Sequence, residues 1–209
     1  MSEVVDKVYN HVIENGDERI VLLKNKQVIQ WLYDDTSFLP EVNGRTAEER
    51  RIRNKNNEDS WGREVMRRRR PDLRLEGQWT NKFGEHLCEE MYSLLGKQCY
   101  NPIIIHSLHP DLETDDSIIE SKIQTHFTTG TAHEKIAGVA FKYADVSDIY
   151  GKPLIIVCMG DAEKRCRKDG IFGGQNCTPK RQLLINFCRD VLEITFVGAT
   201  DLLNQIIAV

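Results

Sequence analysis

Residues 109–122 bring together Asp111, Glu120 and Lys122, side chains that suit a hydrolytic site. Thr114-Asp115-Asp116-Ser117 has turn composition, and residues 117–124 alternate as a strand carrying Ile118, Ile119 and Ile123. The pattern predicts a β-hairpin. With its turn centred on Asp115 and Asp116, paired residues have numbers that sum to a constant, which sets Asp111 directly across from Glu120 on one face. Opposed side chains stand with Cβ atoms roughly 5 Å apart, where two like charges are destabilising unless something positive sits between them. A divalent cation is the natural candidate for that role. Lys122 follows Glu120 by two residues, so strand periodicity places its ammonium on the same face. Two carboxylates, a cation site and a lysine form a constellation for metal-assisted hydrolysis.

Pro110-Asp111, a hairpin, then Glu120-Ser121-Lys122 resembles the signature of the PD-(D/E)xK nuclease superfamily, to which most Type II restriction endonucleases belong. Thr128-Thr129-Gly130-Thr131-Ala132-His133-Glu134-Lys135-Ile136, Lys142-Tyr143-Ala144-Asp145-Val146 and Lys152-Pro153-Leu154 look like site-specific endonucleases of viral and bacterial restriction systems. The resemblance covers residues 78–160. It implies an α/β fold with a restriction-endonuclease-like core, a mixed β-sheet flanked by helices. It also implies Mg2+ as cofactor and double-stranded DNA as substrate. In that family the middle residue of the motif often lends its backbone carbonyl to the metal, which here is Ser121. The helix before the catalytic sheet often supplies a glutamate, and Gly84-Glu85 resembles that element. Glu85 reads equally well as a carboxylate favoured by the dipole at a helix start. Pro71-Asp72 is a decoy, because Glu76 follows too soon for a hairpin.

The elements that must position these groups are legible as pattern. Residues 1–77 are expected to form a mostly helical, arginine-rich DNA-gripping part, and residues 78–209 the catalytic core. In the first part, Thr46 and Glu49 fit a capping box at a helix start. Asn81 is placed to cap a helix from Lys82 to Leu95 carrying Leu87, Met91, Leu94 and Leu95, stopped by Gly96. Residues 99–106, with Ile103, Ile104 and Ile105, give a strand signal leading into the hairpin. Thr131 and Glu134 fit a second capping box, opening a helix to about residue 146 whose glycine-containing start suits a phosphate. The apolar run 153–159 reads as a central strand covered on both faces. Thr178-Pro179 starts a helix to about residue 192, and 193–197 forms a last strand.

The chain of 209 residues has a formal net charge of -4, which excludes a uniformly basic nucleic-acid coat. Charge is nevertheless segregated. Residues 45–82 hold 12 basic against 7 acidic side chains, a net of +5, leaving -9 for the rest. Between residues 50 and 74 arginine outnumbers lysine nine to one. Arginine's planar fork suits phosphate and guanine edges, whereas a merely solvated face would use lysine as readily. Arg67, Arg68, Arg69 and Arg70 are therefore expected to contact DNA, joined by Thr129, Thr131 and Lys135 near the second capping box. The six cysteines lack a CxxC pair, which favours reduced thiols in a cytoplasmic protein over a zinc site. No stretch approaches the roughly 20 apolar residues of a membrane span. A two-fold homodimer on DNA is expected, because one hairpin offers one active centre and a duplex has two strands of opposite polarity. A structure-specific repair or junction-resolving nuclease, and a DNA-binding module without catalysis, stand as alternatives.

Overall fold

The computed structural model describes residues 2–73, 79–128, 132–173 and 177–208, apart from the side chains of residues 2, 132–135 and 137. The N-terminal part is helical where described. In α1 (Ser2–Asn15) the buried residues Val5, Val8 and Val12 recur at helical spacing. A short α2 (Lys26–Leu32) follows, capped by the Asn25 side chain, which accepts from the Gln27 N–H at 3.1 Å. The long arginine-rich helix is α3 (Ala47–Arg69). Thr46 Oγ1 accepts from the Glu49 N–H as expected, but the Glu49 carboxylate reaches the N–H of Arg45 instead of Thr46. Only half of the predicted capping box forms.

Next, α4 (Thr80–Leu94) begins two residues before the expected start and has no side-chain cap, so Asn81 is not the N-cap. Burial of the Trp79 ring, 1% exposed, anchors this start more strongly than a polar cap would. Glu85 consequently lies in the second turn, away from the helix start that the dipole reading required. Gly96, with φ at 78°, closes the helix in the left-handed conformation that glycine adopts without strain.

Five strands then make one mixed sheet, in the order β1 (Cys99–Tyr100), β2 (Leu112–Thr114), β3 (Ile118–Gln124), β4 (Leu154–Gly160) and β5 (Ile194–Gly198). The first three are antiparallel, and β3, β4 and β5 run parallel. The strand expected over 99–106 stops at Tyr100. Pro102 has no N–H to extend the ladder, and His106 and Ser107 turn the chain through positive φ values, so Ile103 and Ile104 are left 73% and 60% exposed.

Parallel pairing needs crossovers, and helices supply them. Between β3 and β4 lie α5 (Ala132–Lys142) and α6 (Val146–Tyr150), two helices where one was expected. Between β4 and β5 lie α7 (Asp161–Asp169), which the sequence pattern did not disclose, and α8 (Pro179–Asp190), capped as expected by Thr178. The chain closes with α9 (Ala199–Ile206), also unforeseen.

Side-chain alternation along β3 and β4 gives the sheet two apolar faces. Ile119, Val157 and Met159 pack with α1, α2, α4 and α9. Ile118, Ile156 and Cys158 pack with α5, α7 and α8. The result is three layers, α/β/α, in which α1 and α2 share one core with α4 and α9 and do not form an appendage. Trp31, Trp61, Trp79 and Phe83 cluster where α2, α3 and α4 meet, edge to face except for the tilted Trp31–Trp61 pair. Beside them the fully buried Glu58 of α3 accepts from Trp31 Nε1 at 2.7 Å and from the backbone N–H groups of His126 and Phe127 at 2.9 and 3.3 Å. That carboxylate ties the arginine-rich helix to the loop leaving β3. Among the described residues no helix is long and apolar enough to cross a membrane.

Candidate active site

The hairpin has the expected register. Leu112 pairs with Ile119 and Glu113 with Ile118, so each pair sums to 231, the value a turn centred on Asp115 and Asp116 requires. At Asp111 the ladder slips. Its N–H donates to the Ile119 carbonyl at 3.1 Å, so Ile119 faces both Asp111 and Leu112, an offset of the kind a β-bulge makes. Pro110 before it has no N–H with which to continue the pairing. The expected direct opposition of Asp111 and Glu120 is therefore replaced by a clasp. Asp111 Oδ2 accepts from the Ser121 N–H and from Ser121 Oγ–H, each at 2.7 Å. Two hydrogen bonds to a charged acceptor fix the carboxylate beside Glu120.

Glu120 and Lys122 share the face of β3 that carries Ile118, as strand periodicity demands. The glutamate is only 5% exposed. Its Oε1 accepts from Lys122 Nζ at 2.5 Å, and the same ammonium donates to the Ser121 carbonyl at 3.1 Å. Its Oε2 is buried and has no hydrogen-bond partner. Burial first, and the Asp111 charge second, push the Glu120 carboxyl above its ordinary value, while Lys122 pulls it back. Across from it stands Tyr143, just past the end of α5. Its buried hydroxyl donates to the His109 carbonyl at 3.1 Å and accepts from Lys142 Nζ at 2.9 Å. Burial and the adjoining Glu120 charge drive the Tyr143 phenol well above its usual range. The hydroxyl also lies at hydrogen-bonding approach to Glu120, which contributes to the same rise.

The opposite face of β3 meets α4 through Gly84. A Cβ there would lie 2.8 Å from Ser121 Oγ and 3.2 Å from Ser121 Cβ, so only glycine admits this approach. Glu85, one residue on, pairs with Lys82 and bonds to neither Asp111 nor Glu120. The arginine run divides by environment. Arg67 and Arg68 are exposed, Arg68 pairing with Glu64 at 3.1 Å. Arg69 turns inward to Glu89 at 3.2 Å and to the buried Glu90 at 3.6 Å. Arg70 pairs with Asp72 at 2.7 Å, which accounts for the decoy aspartate. Thr129, Thr131 and the side chain of Lys135 lie outside the described residues. His126 Nε2 hydrogen-bonds the Trp31 carbonyl at 3.1 Å, while its Nδ1 stands 3.1 Å from Asp34 Oδ1 without hydrogen-bond geometry.

Among the described residues no group of three or more His, Cys, Asp or Glu side chains converges on a metal-sized site. The donors at hand are two carboxylates and the Ser121 carbonyl, an all-oxygen set. Mg2+ suits it, because that ion keeps several waters and is commonly bound by one or two carboxylates. The buried, unpartnered Glu120 Oε2 is the atom such an ion would satisfy. Sequence reasoning missed the Ser121 hydroxyl, Tyr143 and Lys142. Tyr143 has the spacing of an apolar stripe, and nothing in that pattern discloses where its hydroxyl goes. Comparisons of the chain with protein-family models, curated proteins and solved structures each find no match.

Proposed function

We propose that the protein is a Mg2+-dependent endonuclease of the PD-(D/E)xK type with a restriction-endonuclease-like core, cutting double-stranded DNA at specific sites as a homodimer. The observation that carries this reading is the adjacency of Asp111, Glu120 and Lys122 on one hairpin, with a buried Glu120 oxygen lacking any partner. The αβββααβ order from α4 to β4 is compatible with the core that the sequence resemblance implies, with the short α6 added to it.

Asp111 and Glu120 would hold the metal, with the Ser121 carbonyl as a further ligand. When bound, Mg2+ polarises a phosphate and lowers the pKa of a coordinated water. Ser121 keeps the Asp111 carboxylate aimed through its two hydrogen bonds. Lys122 orients the attacking water and offsets the negative charge that gathers on the pentacovalent transition state. Arg67 and Arg68, exposed on α3, supply cations for the DNA backbone.

The test is incubation of the protein with a mixed-sequence duplex and Mg2+, read as discrete fragments. Asp111→Ala and Glu120→Ala should each abolish cleavage and keep DNA binding, since each removes a metal ligand and a negative charge facing phosphate. Unchanged cleavage in either variant ends the assignment. Light scattering of the protein on a short cleavable duplex should give two chains per duplex.

A further inference from the structure

The side chains around Glu120 leave a charge imbalance that the hairpin does not correct. Asp111 and Glu120 bring two negative charges and Lys122 one positive, and the Lys122 ammonium is already engaged by Glu120 and the Ser121 carbonyl. The Mg2+ that the two carboxylates would hold offsets this charge at the scissile phosphate, but the hairpin offers no cation to the neighbouring phosphates of the strand. A further cation of the described structure, Lys142, reaches the site through Tyr143. It sits exposed on the last turn of α5. It folds back 4.4 Å over the Tyr143 ring and donates to the Tyr143 hydroxyl, the same hydroxyl that adjoins Glu120 and holds the His109 carbonyl two residues before Asp111. Among the described residues it forms no ion pair with a carboxylate. Most other cations around the core have one, including Lys82, Lys97, Lys122 and Lys152. A lysine held at the rim of an acidic site, with its charge uncompensated and two of its three protons free, is arranged to receive an anion from outside.

We propose that Lys142 is a substrate-contacting residue, donating to a phosphate of the strand lying in the site, with Tyr143 as the platform that aims it. This rests on the nuclease reading above. In the free protein the ammonium rests on the tyrosine. In the complex it keeps that contact and donates a free proton to a phosphate oxygen of the strand, beside the metal that the two carboxylates would hold. Lys122 then serves the water and Lys142 the strand.

The experiment compares the wild type with Lys142→Ala and Lys142→Arg. A labelled duplex is titrated in Ca2+ over a salt series, Mg2+-dependent cleavage is timed on the same duplex, and the melting temperature serves as the folding control. Lys142→Ala should lower the log-log salt slope of binding by about 0.9, the contribution of one phosphate contact. It should slow cleavage by about 100-fold, the order expected when one preorganised donor is removed from a transition state. Lys142→Arg should restore the slope and most of the rate, because it keeps the charge. A wild-type slope and rate in Lys142→Ala would overturn the proposal and leave the nuclease reading standing. A slower rate with unchanged slope, not rescued by arginine, would make Lys142 a packing partner of Tyr143 and equally overturn it. A wild type that neither cleaves nor binds the duplex would sink the nuclease reading itself, and this inference with it.

Discussion

Gly84→Ala sets two opposed effects against each other at the back of the site. In an exposed helix interior this change would stabilise by about 1 kcal/mol, the difference in helix propensity. Here the new methyl would stand 2.8 Å from Ser121 Oγ and 3.2 Å from Ser121 Cβ. Overpacking of this kind costs about 1–3 kcal/mol. Relief by rotating Ser121 breaks its 2.7 Å hydrogen bond to Asp111, and a bond to a charged acceptor is worth about 1.5–3 kcal/mol. The clash and the lost bond outweigh the propensity gain, leaving a net loss of about 1.5–5 kcal/mol. For a chain of this length that lowers the melting temperature by roughly 3–20 °C. Cleavage should fall further than stability, because Asp111 loses one of the two donors that aim it. Differential scanning calorimetry and a fragment assay at a temperature where both proteins are folded would measure the two effects separately. A variant that melts higher than the wild type would refute the close approach of α4 to β3.

Three further outcomes follow from the site and the arginine helix. Glu120→Gln removes a carboxyl whose folded pKa is raised by burial and by Asp111, so its favourable contribution is present only at low pH and is lost as pH rises through that folded value. The variant should therefore melt higher than the wild type at neutral pH, with the gap closing below about pH 4; a gap independent of pH would contradict the raised value. Arg69→Ala should destabilise the fold, because it strips the buried Glu90 of its cation, whereas Arg67→Ala with Arg68→Ala should leave melting unchanged and lower the DNA salt slope by roughly 0.9 per lost contact. Ca2+ in place of Mg2+ should support DNA binding without cleavage, since it fills an oxygen site with looser geometry, and full activity in EDTA would refute the metal mechanism.

The parts of the fold that were legible in the sequence are those fixed by local chemistry. The hairpin register followed from the turn at Asp115 and Asp116, and β4 from an unbroken apolar run with β3 and β5 on either side of it. Thr178 and Pro179 marked a helix start because both act on their own first turn. What stayed hidden depends on tertiary partners. The start of α4 is set by the burial of Trp79, and the split between α5 and α6 is not marked by proline or glycine. Polar α7 and short α9 owe their helicity to the sheet they cover. The site itself was half legible. Asp111, Glu120 and Lys122 stand out by type and spacing, but the turn of Asp111 onto Ser121 comes from a one-residue slip of the ladder, which leaves no mark in composition.

The aromatic junction makes the protein an unusual optical reporter of itself. The chain has three tryptophans, and all of them lie within one cluster, with ring centroids 6.2–6.5 Å apart. At such spacing the indoles exchange excitation energy, so their emission is one collective signal from the α2–α3–α4 junction. Near-ultraviolet circular dichroism should show the same coupling. Fluorescence changes on adding DNA would therefore report whether the arginine-rich helix shifts against its neighbours. They would be blind to β5 and α8 at the far side of the sheet. An unfolding curve followed by tryptophan emission should accordingly be paired with far-ultraviolet dichroism, because only coincident transitions license a two-state reading.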